Sequence, residues 1–529
     1  MALVAYLKVL LKRYSFVRKF ARVAHLYVYR MKIIFLDAVL PLSCLVAKKV
    51  HMPWGGLFEA RTRMLHRQMK KNLRPGSVNY SMYNKYAQKI IETAKYTLSL
   101  NPNFIFGMRV LASSYSVRGY IDESEQWMQN IFSFKKRWIQ KNNLENLGLR
   151  FVDVSPLKQT IGVTAVYNAY LKATLLSRGP PIKLVMLLNE QGYKQFVNPH
   201  IMTYWEDYID VIRDPNIIRA LKPLAEIMTA NDFEHLEVDG KAVAPQCALP
   251  WLQEDWDEQA RPPLFVLTKE DVVRGKVQLK KLGIPDGAWF VCLHVREGGA
   301  RFDEPFRQTD IYNYMKSIKA IVNRGGWVVR MGDNSMMPLP QMENVIDYPH
   351  TDYKSDFMDV FLCGSCKFFI STSSGLYAIA AMFGRPIVQT NLLPTCAVDL
   401  SKYDLFLPKL LKIRDDGALL KFDKLFSSPV NHGGTDYFFD NVINADPIDN
   451  TPEELEALVL EMMDRLDGTA IYTDEEEDLQ KQFKDMTAEV ETLPGLPGVP
   501  LNARMGQYYL NKHQRLLTGE EAPVALVED

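Results

Sequence analysis

The chain has 529 residues, a formal net charge of +1 and a composition that is 47% hydrophobic and 24% charged. This length predicts several domains with large apolar cores, which excludes a disordered protein. The near-zero charge argues against a nucleic-acid partner, and six cysteines scattered over the whole length predict buried thiols in a reducing cytoplasm rather than a disulfide framework.

The N-terminal region is strongly basic. Residues 1–50 contain ten lysines and arginines and a single acidic residue, Asp37, interleaved with aromatic and aliphatic residues. A basic amphipathic helix of this kind lies on an anionic membrane surface, or packs on the protein with its basic face in water, and the sequence leaves both open. The apolar run at 33–47 is shorter than the roughly 20 residues that span a bilayer. We therefore expect residues 1–75 to be a basic helical segment of a cytoplasmic protein, peripheral on the inner membrane if the first alternative holds.

Residues 80–145 predict helices. Apolar residues recur at helical spacing up to Leu98 and stop at Asn101-Pro102, a helix-terminating pair. The order of Pro102, Leu111 and Gly119 resembles the tetratricopeptide (TPR) pattern, but only about one and a half units are present where an array needs about three. This favours a helical cap on an enzyme, or a docking surface for a protein partner.

Residues 146–280 alternate between strand and helix patterns. Buried strands are predicted at 149–154 and 182–188, with a helix at 162–176 between them. Strand, helix and strand in this order begin a parallel α/β sheet, which predicts a first Rossmann-like domain. The pattern through 200–270 is irregular and defines no element.

Residues 285–450 give the clearest pattern, because near-continuous apolar runs predict strands covered on both faces. The predicted strands are 289–295, 327–331, 344–348, 367–371 and 386–389. The predicted helices are 311–322, 356–362 and 375–383. This arrangement predicts a second, doubly wound Rossmann-like domain.

Residues 451–529 predict C-terminal helices and a tail. Thr451-Pro452-Glu453-Glu454 combines a cap, a proline and an acidic first turn, which predicts a helix running to about Leu466. The acidic run at 474–478 is interpreted as a solvated stretch, and residues 515–529 as a loose tail.

Polar residues follow the predicted strands of the second domain, and open α/β sheets bind ligands beyond the carboxyl ends of their strands. The first strand ends at His294 and Arg296, which alternation places on one face. Arg296 offers a planar guanidinium group to phosphate oxygens. The next strand ends at Arg330, Gly332 and Asp333, which combine a cation with a carboxylate suited to ribose or base.

A serine-rich segment follows the fourth strand and leads into a predicted helix. Ser373, Ser374 and Gly375 offer hydroxyl and main-chain N–H groups to a phosphate at a helix N-terminus. The fifth strand leads to Asn391 at the same edge. A surface salt bridge or an ordinary helix cap explains each residue alone, but together the strand ends predict a site for an anionic ligand.

These segments resemble, in order and spacing, a bacterial family of glycosyltransferases of the surface-polysaccharide type, and more distantly the α-1,6- and protein O-fucosyltransferases. The resemblance covers about residues 285–410 and rests on CLHVREGG (292–299), FRQTDIYNYMKSI (306–318), GGWVVRMGD (325–333), VIDY (345–348), SDFMDVFL (355–362) and CKFFISTSSGL (366–376). It implies an α/β fold of the GT-B type, with two Rossmann-like domains facing a cleft and an N-terminal all-helical, partly TPR-like extension. The nucleotide is then expected in the C-terminal domain and the acceptor mainly in the N-terminal domain.

The resemblance also implies roles by position. Arg296 is expected to bind the β-phosphate, His294 to orient Arg296 or touch the nucleotide, and Ser373, Ser374 and Gly375 to hold the diphosphate.

Further residues are expected at the rim of this site. Arg330 and Asp333 would border the nucleoside, and Arg307 and Asp310 would face the donor sugar. The fucosyltransferases often have a second basic residue or an aspartate beside the histidine–arginine pair. This chain has Glu297 there, which leaves the sugar and the base open, GDP- and UDP-linked donors included.

The sequence therefore predicts a hexosyl- or fucosyl-type glycosyltransferase that uses a sugar nucleotide as donor and a glycan or protein as acceptor. Inversion needs a base on the acceptor hydroxyl, and the candidates are Glu297, Asp303 and Asp310. No Asp-x-Asp triplet stands at a strand end, so we expect neither a metal nor a further cofactor. The alternative is a TPR-like adaptor that carries a non-catalytic glycosyltransferase-like module.

Two other signals are interpreted as structural. Asp356 and Asp359 are expected to cap and pack a helix, although they lie in a matching segment of the family. Cys363 and Cys366 have the spacing of a redox motif, but they fall between a helix and a buried strand and are expected to be ordinary buried thiols.

Overall fold

The computed structural model describes residues 59, 61–66, 80–145, 148–158, 161, 164–230, 235–297, 305–395, 400–433, 436–492, 498 and 501–518. The basic segment at 1–50 lies outside these ranges, and so does Asp303. Among the helices that are described, none is long and apolar enough to cross a membrane.

Residues 80–145 contain three helices: α1 (Tyr80–Leu100), α2 (Ile105–Val117) and α3 (Ile121–Lys141). They pack through a buried cluster that includes Leu98, Leu111 and Ile131. Gly119 has a φ of +78° in the turn between α2 and α3, and a Cβ atom there would lie 2.7 Å from the ring of Phe438. The predicted helices are confirmed, whereas the tetratricopeptide assignment stays a prediction.

The first sheet has four parallel strands in the order β3-β2-β1-β4. Its strands are β1 (Leu149–Val152), β2 (Lys183–Leu187), β3 (Ile209–Ile212) and β4 (Thr229–Ala230), followed by a hairpin of β5 (Leu236–Val238) and β6 (Lys241–Val243). Its helices are α4 (Val154–Leu157), α5 (Thr164–Leu175), α6 (Met202–Trp205), α7 (Pro215–Ile227) and α8 (Pro245–Glu258). The irregular pattern at 200–270 has a physical reason, because α7 and α8 contain the internal prolines Pro223 and Pro250.

The second sheet has seven parallel strands in the order β15-β12-β11-β10-β7-β8-β9. Its strands are β7 (Phe290–His294), β8 (Trp327–Arg330), β9 (Val345–Asp347), β10 (Phe369–Ser371), β11 (Ile387–Leu392), β12 (Leu405–Pro408) and β15 (Arg504–Met505). The associated helices are α9 (Lys269–Lys281), α10 (Met315–Asn323), α11 (Asp356–Ser365) and α12 (Leu376–Met382). All five predicted strands and all three predicted helices of this domain are confirmed. The helix predicted at 311–322 begins as a 3₁₀ turn (Ile311–Tyr314) before α10.

The C-terminal part completes this second domain. It contains the antiparallel pair β13 (Leu410–Ile413) and β14 (Ala445–Ile448), and the helices α13 (Phe422–Leu425), α14 (Asp436–Phe438), α15 (Pro452–Asp467), α16 (Asp474–Glu489), α17 (Gln507–Lys512) and α18 (Arg515–Thr518). The acidic run at 474–478 is exposed to solvent, as interpreted, but it also begins a helix that the sequence analysis missed. Thr473 and Glu476 form a reciprocal capping box that starts α16, and the acidic residues are its first turn.

Aromatic side chains join the two domains in one core. The ring of Phe265, in the segment between α8 and α9, lies 5.2 Å from Trp205 of the first domain and 5.4 Å from Phe383 of the second, between centroids. The two domains therefore share a packed interface beside the chain segment that links them.

Candidate functional site

The order of strands in the second sheet fixes where a ligand is expected. From β7 the chain moves to β8 and β9 on one side, and then crosses to β10, β11 and β12 on the other side. The change of direction leaves a crevice at the carboxyl ends of β7 and β10, and doubly wound sheets bind their ligands at such a crevice. We call this crevice, between the carboxyl ends of β7 and β10, the switch point. His294 and Ser371 are paired across these two strands, so both residues lie there.

A row of polar side chains lies across three neighbouring strands at this point. His294 pairs with Ser371, and Ser371 pairs with Gln389 of β11, so the three side chains project from the same face. Their exposed fractions are 9%, 0% and 2%. Within the described chain, Nδ1 of His294 and both amide atoms of Gln389 are buried without a hydrogen-bond partner. Because such a group costs about 1–3 kcal/mol, the row indicates a place where a ligand or water supplies the missing bonds.

Electrostatics keep His294 neutral. Burial, together with the positive charges of Arg296 and Arg330, lowers the pKa of His294 to about 4. At neutral pH the ring is therefore uncharged. It can form hydrogen bonds, and it adds nothing to the positive charge of the neighbouring arginines.

Arg296 is anchored at the switch point by its main chain. Its N–H donates to Oγ1 of Thr372 at 3.0 Å, and its carbonyl accepts from the N–H of Thr309 at 3.0 Å. The N–H of Thr372 in turn donates to the carbonyl of His294 at 3.1 Å. The segment after β7 and the serine-rich segment after β10 are thus held together, as the sequence predicted.

Arg307 joins the same group from the 3₁₀ turn Pro305–Arg307. Its guanidinium donates to the carbonyl of Ser373. Two arginines are therefore bonded to the serine-rich segment, Arg296 through its main-chain N–H and Arg307 through its guanidinium group.

The serine-rich segment, residues 371–375, is held by hydrogen bonds of its own hydroxyl groups. Ser371 and Ser374 are joined by a hydrogen bond between their hydroxyl groups at 3.0 Å, and Oγ of Ser373 accepts from the N–H of Leu393 at 3.3 Å. Gly375 caps α12, which has only seven residues. We therefore give the N-terminus of this short helix no role of its own, and attribute any affinity for anions to the hydroxyl groups and the neighbouring arginines.

Arg330 does not reach outward as expected. Its side chain is fully buried, its Nη1 donates to Oδ1 of Asp347 at 2.9 Å and to the carbonyl of Met337 at 2.8 Å, and its Nη2 donates to Oε2 of Glu297 at 2.8 Å. These internal bonds make Arg330 the support of Glu297 rather than a group that borders the nucleoside.

Of the two acidic candidates that the structure describes, Glu297 is the better placed. Oε2 is held by Arg330 and by the N–H of Met337 at 3.3 Å, whereas Oε1 accepts no hydrogen bond from any described residue. Burial raises the pKa of this carboxyl, and the neighbouring Arg330 partly opposes the shift. A fixed carboxylate with one unengaged oxygen and a raised pKa has the properties of a general base.

Asp310 occupies a different setting. It is exposed, and its Oδ1 accepts from the N–H of Tyr312 at 2.9 Å as the cap of the turn Ile311–Tyr314. Its charge is close enough to raise the pKa of Glu297.

The loop after β8 carries Gly332 and Asp333. Gly332 has a φ of +141°, and a Cβ atom there would lie 2.2 Å from Sδ of Met336, so the glycine accommodates that side chain. Asp333 is exposed, accepts from the N–H of Ser335 at 2.8 Å, and its charge acts on His294. Asp333 therefore faces the region of His294 from the other side of β7.

Asn391 is fully buried and belongs to an internal network. Its Nδ2 donates to the hydroxyl of Tyr314 at 3.0 Å, its Oδ1 accepts from the N–H of Asn450 at 2.7 Å, and its own N–H donates to Oδ1 of Asn450 at 2.7 Å. These bonds tie β11 to the start of α15, so the side chain has no group left for a ligand.

The sequence did not single out Gln389 or Asp347. Gln389 interrupts the buried strand β11 with a polar side chain, which is a signal that the sequence contained. Asp347 pairs with Arg330 only because β8 and β9 lie in register, which no spacing reveals.

The structural interpretation of the remaining signals is supported by geometry. Asp359 binds Lys354 at 3.0 Å in the first turn of α11, whose cap is Ser355. Cys363 and Cys366 are buried as free thiols, and burial raises the pKa of Cys363 well above its usual range. In the part of the chain that the structure describes, no three His, Cys, Asp or Glu side chains form a group that would hold a metal ion.

No protein-family model and no curated protein matches this sequence. Solved structures with similarity include a glycosyl transferase of family 9 from Veillonella parvula, with 11% identity, a TM-score of 0.28, and coverage of 46% of this chain and 79% of that one. The ADP-heptose lipopolysaccharide heptosyltransferase II of E. coli has 13% identity, a TM-score of 0.32, and coverage of 60% and 99%. The iron-containing dodecameric glycosyltransferase TibC of enterotoxigenic E. coli has 13% identity, a TM-score of 0.30, and coverage of 61% and 76%. Since every one of these TM-scores is below 0.5, the similarities establish no shared function.

Proposed function

We propose that this protein is a glycosyltransferase that transfers a sugar from a nucleoside diphosphate sugar, with the donor diphosphate at the switch point between β7 and β10. The observation that carries the proposal is the meeting of buried, neutral His294, whose Nδ1 has no partner among the described residues, with Arg296, Arg307 and the serine-rich segment. A diphosphate supplies the acceptor oxygens that this group of donors and cations would bind.

The proposed reaction is an inverting displacement. Glu297 takes the proton of the acceptor hydroxyl through Oε1, and the hydroxyl oxygen then forms a bond to the anomeric carbon of the donor. The bond between that carbon and the diphosphate breaks, and the diphosphate departs with the electron pair. Arg296 and Arg307 balance the charge that develops on the leaving group, which is the main electrostatic task of such a catalyst.

Arg330 is a positioning residue in this scheme. It holds Oε2 of Glu297 at 2.8 Å and is itself fixed by Asp347. Because one oxygen is fixed and the other is unengaged, the proton-accepting atom has a defined direction. Metal independence follows as part of the proposal, since the two arginines meet the electrostatic need of the leaving diphosphate.

The remaining features of the proposal come from the sequence: the fold, the acceptor and the donor class from the family resemblance, and the membrane contact from the basic charge of residues 1–50. The fold is of the GT-B type, with the acceptor, a glycan of the surface-polysaccharide type or a protein, on the first domain, and the donor is a GDP- or UDP-linked hexose or fucose. The basic residues 1–50 would hold the enzyme on the cytoplasmic face of an anionic membrane.

Calorimetric titration of the full chain with ADP, GDP, UDP and TDP tests the proposal. We expect at least one of them to bind, and Arg296→Ala to weaken that binding by about tenfold or more, because a charge-assisted hydrogen bond is worth about 1.5–3 kcal/mol. The matched control is Arg324→Ala, which removes an exposed arginine that pairs with Asp464 on the same domain and is expected to leave binding unchanged.

Two results would overturn the assignment. The first is the absence of binding to every nucleoside diphosphate at millimolar concentration, and the second is equal affinity in folded Arg296→Ala and the unaltered protein.

A further inference from the structure

A cavity lies at the interface of the two domains, away from the switch point. Its volume is about 210 Å³, and it is lined by α5 and α8 of the first domain, by the linker after α8, and by two loops of the second domain. This volume holds several water molecules, and therefore also a small organic molecule.

The cavity is at the opposite edge of the second sheet from the site proposed above. Arg385 lies just before the start of β11 at Ile387, and Asp404 just before the start of β12 at Leu405. Both loops are thus at the amino ends of strands whose carboxyl ends face the other way. The six residues of β11 separate the two edges by about 20 Å.

Two arginines present unengaged groups to this cavity. Nε of Arg261 donates to Gln259 at 2.8 Å, and Nε of Arg385 donates to the carbonyl of Gly364 at 2.8 Å. The terminal nitrogens of both guanidinium groups make no hydrogen bond to any described residue. Each guanidinium group is therefore held in place through Nε, and its Nη1 and Nη2 atoms are available for a bidentate contact with an oxyanion.

A buried lysine adds a third positive charge. Lys172 is 5% exposed, donates to Oε1 of Gln253, and lies 5.6 Å from the ring of Trp256. Arg261 lies 5.3 Å from the same ring. Trp256 thus keeps two cations in place at the wall of the cavity.

The two carboxylates of the lining are already engaged. Asp257 accepts from Gln253 at 2.7 Å and from the N–H of Lys402 at 3.0 Å. Asp404 accepts from the N–H groups of Ile387 and Ser401, at 2.7 Å each. Neutral N–H groups thus occupy both carboxylates without cancelling their charge, and the three cations against two carboxylates leave the lining with a net charge of +1 and few open acceptors.

One open acceptor remains on α5, one turn before Lys172. Asn168 is 3% exposed, and its Oδ1 is buried without a partner in the described chain. Because an unsatisfied buried acceptor is costly, it calls for a donor such as a hydroxyl group from whatever fills the cavity.

We propose that this interdomain cavity binds a small phosphate ester of a polyol, such as a sugar monophosphate, with the phosphate on Arg261, Arg385 and Lys172 and a hydroxyl group on Asn168. The ligand contacts residues of both domains beside the linker, so its binding favours one arrangement of the domains. The site is independent of the donor site, because the two share no residue.

Thermal-shift and calorimetric measurements on the full chain test this site, with glucose 6-phosphate as the probe and with glucose and inorganic phosphate as comparisons. Glucose 6-phosphate is expected to bind and to raise the melting temperature, inorganic phosphate to bind more weakly, and glucose to have no effect. Arg385→Gln and Arg261→Gln are each expected to weaken binding of the probe by about tenfold.

The controls separate this site from other anion sites. Arg219→Gln alters an exposed arginine of α7 that is not part of the cavity lining and should leave binding of the probe unchanged. Asn168→Ala should reduce the preference for the ester over inorganic phosphate. Nucleoside diphosphate binding should persist in Arg385→Gln, which distinguishes failure here from failure of the donor site.

Three outcomes would overturn the proposal. They are the absence of any shift with glucose 6-phosphate at about 10 mM, equal affinity for the probe in both folded arginine variants, and inorganic phosphate binding as tightly as the ester.

Discussion

The neighbouring strands β7, β10 and β11 of the second sheet carry buried polar side chains near their carboxyl ends and use them in two opposite ways. At the end of β7, His294 has a ring nitrogen with no hydrogen-bond partner among the described residues. Gln389 of β11 lies beside Ser371 of β10, and its amide group also has no partner among those residues. At the end of β11, every polar group of the Asn391 side chain is paired, with Tyr314 and with Asn450.

The difference shows how a ligand site is told from a structural network when both are buried. When all the polar groups of a buried network bond to each other, the network stabilises the fold and has no group available for a ligand. Buried polar groups that lack a partner at a topological switch point remain available to bond to a ligand. Glu297 combines the two situations. Its Oε2 is held by Arg330 within the structure, whereas its Oε1 accepts no hydrogen bond from a described residue. The predictions below divide along this line.

The largest effect is expected from Glu297→Gln. The amide oxygen still accepts from Arg330, so the fold should be kept, but the group no longer takes a proton. We expect the rate of sugar transfer to fall by about 10²–10⁴-fold, measured as release of nucleoside diphosphate from whichever sugar nucleotide binds. Asp310→Asn is the control, and as a surface change it should alter the rate by less than about threefold. A Glu297→Gln enzyme with an unchanged rate would remove Glu297 from the mechanism.

The second prediction concerns pH. Unfolded histidine binds a proton near pH 6.5, whereas the pKa of His294 in the fold is about 4. Between these values the unfolded state binds more protons, so the free energy of unfolding falls as pH drops from about 6.5 to 4, by about 3 kcal/mol from this residue. Urea unfolding across this range should show a steeper loss for the unaltered protein than for His294→Gln. Parallel curves would mean that the ring is solvated.

The sequence predicted the second sheet well because its strands are mostly apolar on both faces and polar residues start near their carboxyl ends, as in β7. In β11 the polar residues Gln389, Thr390 and Asn391 lie within the strand, which therefore runs past its predicted end at 389. It also predicted which segments meet at the switch point, since strand order alone brings Arg296 to Thr372.

It could not predict which polar groups are already paired. Asn391 and Asn450 are 59 positions apart, and Arg330 and Asp347 are 17 apart, so their pairing depends on tertiary packing. The start of α16 was missed for a different reason, because the acidic residues after Thr473 were interpreted only as solvated charges and not as the first turn of a capped helix.

The substitution Asn391→Ala tests the internal network, in which Asn391 bonds to Tyr314 and Asn450. This change leaves the N–H of Asn450 without its acceptor and puts alanine at a φ of +49°. We expect a loss of about 2 kcal/mol in the free energy of unfolding, with nucleotide affinity of the folded protein unchanged. Asn391→Gly, which tolerates the backbone conformation, should recover part of the loss. If affinity falls while stability holds, Asn391 is a ligand group after all.

The smallest effect is expected from Ser374→Ala, at the boundary between the two kinds of group. Ser374 is bonded to Ser371 at 3.0 Å, so the fold already uses its hydroxyl, yet a hydroxyl group has capacity for a further bond to a phosphate oxygen. We expect nucleoside diphosphate affinity to fall by about fivefold, equivalent to about 1 kcal/mol, with little change in melting temperature. The converse result, a lower melting temperature at constant affinity, would assign Ser374 to the internal network. The donor site would then depend on Arg296, Arg307, His294 and the rest of the serine-rich segment.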